Sequence, residues 1–174
     1  MSAYEEFRFD PERCRLELEE FERLLMERPE LSERADILPF FRTRRHLAAL
    51  LGSYNPNANV YDRLAIELSL FGEFTADVSA GDSSKNAFCL IEFEDGKPNS
   101  IFTLRGRRAR EWASRFERGF SQIVDWLWKL DDQRRCRADH RPGERTRGRR
   151  QGAADVAPRT RCRELETCTL LHVR

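Results

Sequence analysis

The chain has 174 residues, 40% of them hydrophobic and 35% charged, enough for one domain with a core. Its apolar runs fall far short of the roughly 18 residues a membrane helix needs, and its opening, MSAYEEFRFDPER, is acidic and lacks an apolar signal core, so a cytoplasmic location away from membranes is expected. Five cysteines, irregularly spaced, do not make a disulfide framework.

The net charge of +1 is a cancellation. Residues 1–132 carry 19 Lys and Arg against 25 Asp and Glu, a net of −6. Residues 133–174 carry 12 Arg against 5 acids, a net of +7. A split this sharp divides the chain before any element is read.

Asp10-Pro11 opens a first helix, with Pro tolerated in its first turn. Leu16, Phe21, Leu24 and Leu25 form its apolar stripe, and Pro29 ends it. Ser32 or Asp36 caps short helices beyond, Pro39 interrupts them, and FRTRRHLAALLGS resumes helical spacing to Gly52. NPNAN is a loop. In VYDRLAIELSLFG, capped by Asn59, the apolar residues Val60, Leu64 and Leu68 repeat at helical spacing and Gly72 stops the run, which predicts a helix. The period then changes to two. EFTADVSA and AFCLIEFE are strands joined by the hairpin loop GDSSKN, SIFTLRG is a short third strand, and AREWASRFERGFSQIVDWLWKLDD is a long helix with Phe116, Phe120, Ile123, Trp126 and Leu127 near one stripe.

After Asp132 the composition changes abruptly. Residues 133–174 contain no aromatic residue, Ile, Lys, Asn or Met, and three of the five cysteines. So little apolar material predicts a disordered tail. Its arginine excess without lysine is also what an out-of-frame reading or truncation of GC-rich coding DNA produces; a natural basic arm for nucleic acid is the other reading. Three parts follow: 1–52 helical, 53–132 the core with its hairpin and following helix, and 133–174 the arginine-rich tail.

The chemistry concentrates in AFCLIEFEDGK. Residues two apart on a strand share a face, so Glu92 and Glu94 point together. Pairing across GDSSKN in an odd-sum register keeps Asp77 on that face. Three converging carboxylates repel one another and raise each other's pKa. A divalent cation removes that cost, and Mg²⁺ favours carboxylate oxygen while keeping several waters. Such a trio suits phosphodiester cleavage; charged residues at a sheet rim are the plainer reading. Cys136, His140, Cys162, Cys168 and His172 invite a zinc reading, but no apolar pattern lies between them. Arg42, Arg44, Arg45 and His46, and the better placed RGRRAR at 105–110, are candidates for phosphate contact.

LPFF, HLAALLGSYNP, DRLAIEL, IEFEDGKPNSIF and GFSQIVDWLWKLDD are long and idiosyncratic. Over about residues 15–132 they resemble the nuclease domain of the Shedu anti-phage defence family. That resemblance implies an α/β (α+β) fold like the PD-(D/E)xK restriction endonucleases, a mixed sheet flanked by helices with a metal site at a β-hairpin. It implies Mg²⁺- or Mn²⁺-dependent cleavage of DNA, with Asp77 and Glu92 as first and second acids. Glu94 stands where the family pattern has lysine, as a third ligand or base. A rival alignment takes Asp82, Asp95 and Lys97 as the literal motif. Gln122, one helical turn before Trp126, matches a glutamine that faces the site in related nucleases, and Glu67 is a weaker fourth acid. The resemblance further implies more sheet after the Trp126 helix. Without it the fold is incomplete, with an open sheet edge that favours a homo-oligomer. The alternative function is a catalytically inactive, truncated module that binds nucleic acid or a protein partner.

Overall fold

The computed structural model describes residues 3–104, 110–138 and 167–171. A two-residue strand, β1 (Glu5–Glu6), precedes helix α1 (Pro11–Glu27). Asp10 caps α1 by accepting the N–H groups of Glu12 and Arg13, and Pro11 sits in the first turn, where a missing N–H costs nothing. Ser32 caps a π-helical turn, Glu33–Ile37, which runs into two short helices, α2 (Leu38–Thr43) and α3 (Arg45–Leu50). Strands β2 (Arg63–Leu70), β3 (Phe74–Asp82) and β4 (Ala87–Phe93) then form an antiparallel meander. A small ladder of β5 (Phe102–Leu104) with β6 (Arg110–Trp112) leads into α4 (Ser114–Ala138), and β7 (Thr167–Leu171) comes last.

This is a mixed α+β arrangement. Among the described residues the main sheet has the order β1-β2-β3-β4-β7, antiparallel throughout except for the parallel pair β4–β7. Two pieces of the arginine-rich segment thus have defined structure: α4 runs on to Ala138, and β7 occupies the edge of β4 that was expected to lie open. The rest of that segment, with the expectation of disorder attached to it, lies outside the described residues. So do the side chains of the cysteines and histidines of the zinc reading. Cys14 and Cys89 are buried. Among the described residues no helix is long and apolar enough to cross a membrane.

Three expectations need correction. The helix expected over VYDRLAIELSLFG is strand β2. Leu64, Ile66, Leu68 and Leu70 satisfy a period of two as well as they satisfy helical spacing, and pairing with β3 decides between them. Phe71 and Gly72 then carry positive φ in a tight turn closed by Glu73 N–H to Leu70 O, so Gly72 ends a strand and not a helix. The long helix starts at Ser114, because Arg110–Trp112 pair with Phe102–Leu104. Its stripe is also narrower than expected, since Ile123 and Trp126 are buried while Phe120 and Leu127 are exposed, as Leu16 is on α1.

Helices cover both faces of the sheet. Cys14, Leu31, Phe41 and Leu47 pack on Leu64, Val78, Ala80, Ile91 and Phe93 on one face. Ile123 and Trp126 of α4 pack on Leu68, Leu70, Ala76 and Leu90 on the other. These memberships show that β2 and β3 change face halfway along. Val78 and Ala80 belong to the α1–α3 side and Ala76 to the α4 side; Leu64 and Ile66 belong to the first and Leu68 and Leu70 to the second. All are even-numbered, and an unbroken strand keeps such residues on one face. The exchange falls at Glu67 and Asp77. The ladder pairs Ile66 with Val78 and Leu68 with Ala76 but skips the pair between them, and Glu67 has φ 53°, uncommon for a residue with a side chain.

Phe41 stacks on Phe93 at 4.6 Å between ring centroids, and both rings are fully buried. Phe41→Ala is expected to lower the unfolding free energy in urea by about 3–5 kcal/mol. A loss below about 1 kcal/mol would contradict the packing of α2 on the sheet.

Candidate functional site

The exchange of faces places the acids. The register of β3 against β4 pairs Val78 with Ile91. One step further along it, Asp77 stands across from Glu92. Asp77 Oδ2 accepts the Phe93 N–H at 2.7 Å, so its side chain replaces a ladder hydrogen bond at the kink. Gln122 on α4 donates to Glu92 Oε1 at 2.9 Å and reaches the Thr75 carbonyl at 3.3 Å. Trp126, one turn along, is fully buried and anchors this stretch of α4 in the core. Asp77, Glu92 and Gln122 therefore meet, on three elements, in a cleft of about 600 Å³. Glu33, Arg34 and Arg42 from the helical layer and Glu67 from β2 complete its walls.

Glu94 is two residues from Glu92 but outside the strand, which ends at Phe93. Its Oε2 accepts from Arg115 Nε at 2.8 Å, and it does not line the cleft. Lys97 pairs with Asp95 at 2.9 Å. Asp82 lies at the far end of the hairpin, across from Ala87, where it accepts from the Asn59, Val60, Ser84 and Lys85 N–H groups and the Ser84 hydroxyl. The Ser84 hydroxyl and those N–H groups hold its carboxyl down at about 2 despite burial. The length of β4 thus separates Asp82 from Asp95, and Asp82 works as a loop brace. Glu67, on β2 and not on a helix, pairs with Arg42 at 2.6 Å.

Among the arginines expected to meet phosphate, Arg42, Arg44 and Arg45 are each ion-paired, with Glu67, Glu20 and Glu5. His46 accepts the Asp10 N–H through Nδ1 and holds the start of α1. Of these four, Arg42 lines the cleft. Residues 105–109 of RGRRAR lie outside the described residues.

Sequence reading missed Glu33 and Arg115. The Arg115 guanidinium joins Glu94, Glu33 (2.9 Å) and Asp95 (3.0 Å). Glu33 carries the local signature of an acid in the first turn of a helix, stabilising there for its own reasons, and its role near the site depends on chain 62 residues away, through its N–H bond to Asp95. Arg115 has no local signature at all.

Burial pushes the Asp77 carboxyl up to about 6, helped by the charges of Glu33, Glu67 and Glu94 and opposed by the Phe93 N–H. Burial also pushes Glu92 up to about 9, reinforced by Asp77, Glu33 and Glu94 and opposed by Gln122. Glu94 is raised by burial, more than Arg115 lowers it. Glu92 Oε2 is buried and has no hydrogen-bond partner among the described residues. No three of the described His, Cys, Asp and Glu side chains stand at metal-holding spacing. The arrangement is a two-carboxylate, oxygen-only site with one orphaned oxygen.

Both acids ionise less readily in the fold than in the unfolded chain, whose values lie near 3.8 and 4.5. Their contribution to stability is therefore full below those values and is lost as pH rises through about 6 and then about 9. In chelator, the thermal midpoint is expected to fall between pH 5 and pH 8 (about the range where these groups titrate), and Glu92→Gln is expected to flatten that slope and raise the midpoint at the alkaline end. An unchanged slope in Glu92→Gln would show that Glu92 is ionised throughout.

Residues 30–162 match the family described as Shedu protein SduA, C-terminal. No curated protein and no solved structure gives a significant match. The family match takes in the β3–β4 hairpin, the cleft and Gln122, and it runs past residue 132 into the arginine-rich segment. Covering most of the chain, it identifies the protein by descent: the chain belongs to the Shedu SduA family of anti-phage defence nucleases.

Proposed function

We propose that this chain is a divalent-cation-dependent nuclease of the PD-(D/E)xK type that hydrolyses DNA phosphodiester bonds in the cytoplasm as part of anti-phage defence. The observation that carries this reading is the meeting of Asp77 and Glu92 across β3 and β4, both hard to ionise, with Glu92 Oε2 buried and unpartnered among the described residues. A hairpin bearing the acids, in a sheet with helices on both faces, supports the fold assignment.

The donor set fits a hard cation, which prefers carboxylate oxygen and retains water. Asp77 and Glu92 would hold Mg²⁺ or Mn²⁺. When bound, the ion supplies an activated water and neutralises charge developing on the phosphate. Gln122 fixes Glu92 through Oε1 and so leaves Oε2 to the ion. The Phe93 N–H fixes Asp77 in the same way through Oδ2. Arg34 and Arg42, on the helical wall of the cleft, present positive charge to the DNA backbone. Glu94 serves as base or third ligand only on leaving Arg115.

One observation favours a second reading, a silent module that binds nucleic acid or a protein partner: no three acids stand at metal-holding spacing among the described residues. Cleavage separates the two. With Mg²⁺ or Mn²⁺ the chain is expected to cut DNA, and Asp77→Ala to lower the rate by at least about 10³-fold while leaving DNA binding in chelator unchanged. Binding without cleavage under any divalent cation would establish the silent module. Gln122→Ala is expected to cost about 10–100-fold in rate, as loss of a ligand-orienting contact does. An unchanged rate would place Gln122 outside the catalytic arrangement.

A further inference from the structure

Arg115 is one cation serving three carboxylates from two segments of chain. From the first turn of α4 its Nε meets Glu94 at 2.8 Å, its Nη2 meets Glu33 at 2.9 Å and its Nη1 meets Asp95 at 3.0 Å. The three acid side chains are 9%, 16% and 5% exposed, while Arg115 itself is 44% exposed. The guanidinium therefore closes the acids off from the solvent side and remains open to solvent on its own outer side. Its planar fork of five N–H donors allows this geometry, which an ammonium cannot reproduce.

Two of the acids that Arg115 holds, Glu94 and Glu33, act by their charge on both Asp77 and Glu92. Glu94 lies two residues after Glu92, just beyond the end of β4. Glu33 lines the same cleft as Asp77 and Glu92. Yet no three acids among the described residues stand together at metal-holding spacing, and Glu94 Oε2 is engaged by Arg115. Removal of the fork would leave Glu94 without its cation close to two further buried acids, an arrangement that favours a replacement cation.

We propose that Arg115 is a positioning residue that holds Glu94 away from Asp77 and Glu92, and that a DNA phosphate docking on Arg115 releases Glu94 to complete the cation site. This rests on the cation-site reading above. Phosphate is the natural competitor for the fork, because it accepts from a guanidinium in the same two-pronged manner as a carboxylate. The exposed outer side of Arg115 is where it would approach. Substrate binding and cation binding are then coupled, and the coupling is reciprocal.

The test is Mn²⁺ affinity of the full chain, followed by electron paramagnetic resonance, with and without a nuclease-resistant phosphorothioate duplex. Arg115→Gln is expected to bind Mn²⁺ about tenfold more tightly than wild type, and Arg115→Gln with Glu94→Gln to lose that gain. The duplex is expected to tighten Mn²⁺ binding by wild type by about tenfold and to add nothing to Arg115→Gln. No tightening of Mn²⁺ binding by the duplex in wild type would overturn the proposal without recourse to any Arg115 variant. Equal affinity of wild type and folded Arg115→Gln, or an equal duplex effect in both, would also overturn it while leaving the Asp77–Glu92 site standing. Absence of Mn²⁺ binding in every protein, insensitive to Asp77→Asn, would refute the cation site itself and this proposal with it.

Discussion

At Glu67 and Asp77 two neighbouring strands exchange faces at the same level of the sheet, and the position of the acids follows from that exchange. A regular antiparallel pair would satisfy the backbone there with its own hydrogen bonds and send the Asp77 side chain to the same face as Ser79. Instead, the β3–β4 ladder stops at Val78–Ile91, and the Phe93 N–H beyond it is satisfied by the Asp77 carboxylate, as a buried backbone donor must be. The positive φ at Glu67 is the conformational cost of the exchange; sparsely populated backbone of this kind persists where surrounding packing over-determines it, and it clusters at functional sites. Here the packing is supplied from both faces, by the α1–α3 layer on one side and by Ile123 and Trp126 on the other.

The electrostatics follow from the same geometry. A single buried acid at a kink, paired with an N–H group, is an ordinary structural feature. Asp77 has Glu92 across the ladder, with Glu33 and Glu94 close enough to raise both. Of the nearby positive charge, Arg42 is engaged by Glu67 and Arg115 by Glu33, Glu94 and Asp95. Gln122 offers Glu92 a hydrogen bond but no charge. The fold thus concentrates negative potential at one spot and compensates its neighbours but not the Asp77–Glu92 pair. Burial is the larger cause of the rise at Glu92, and the charges of Asp77, Glu33 and Glu94 add to it.

The central pairing of acids was legible because it depends on short-range rules. A hairpin loop between two strands, a spacing of two within a strand and an odd-sum register suffice to put Asp77 and Glu92 together, and the loop from Ser83 to Asn86 realises that register. Gln122 and Trp126 were legible as one turn of a helix. Strand β2 was not, because Leu64, Ile66, Leu68 and Leu70 fit both periods and the exchange of faces at Glu67 blurs the alternation that would have marked a strand. The fate of Glu94 was not legible either: the chain leaves the strand after Phe93, and the partner that takes Glu94 comes from a helix 21 residues later. Glu33 reaches the site through the Leu31–Gly96 bridge, the Asp95 bond to its own N–H and the Arg115 fork, contacts that no pattern in these segments announces.

The measurement that bears most directly on the Asp77–Glu92 site is proton release on Mg²⁺ binding near neutral pH, obtained calorimetrically in buffers of different ionisation enthalpy. A ligand carboxyl that is protonated at rest must give up its proton to a bound cation. Release of about one proton per Mg²⁺, lost in Glu92→Gln, is the expected result. Binding without proton release, or release that persists in Glu92→Gln, would contradict a cation site built on a buried, protonated Glu92.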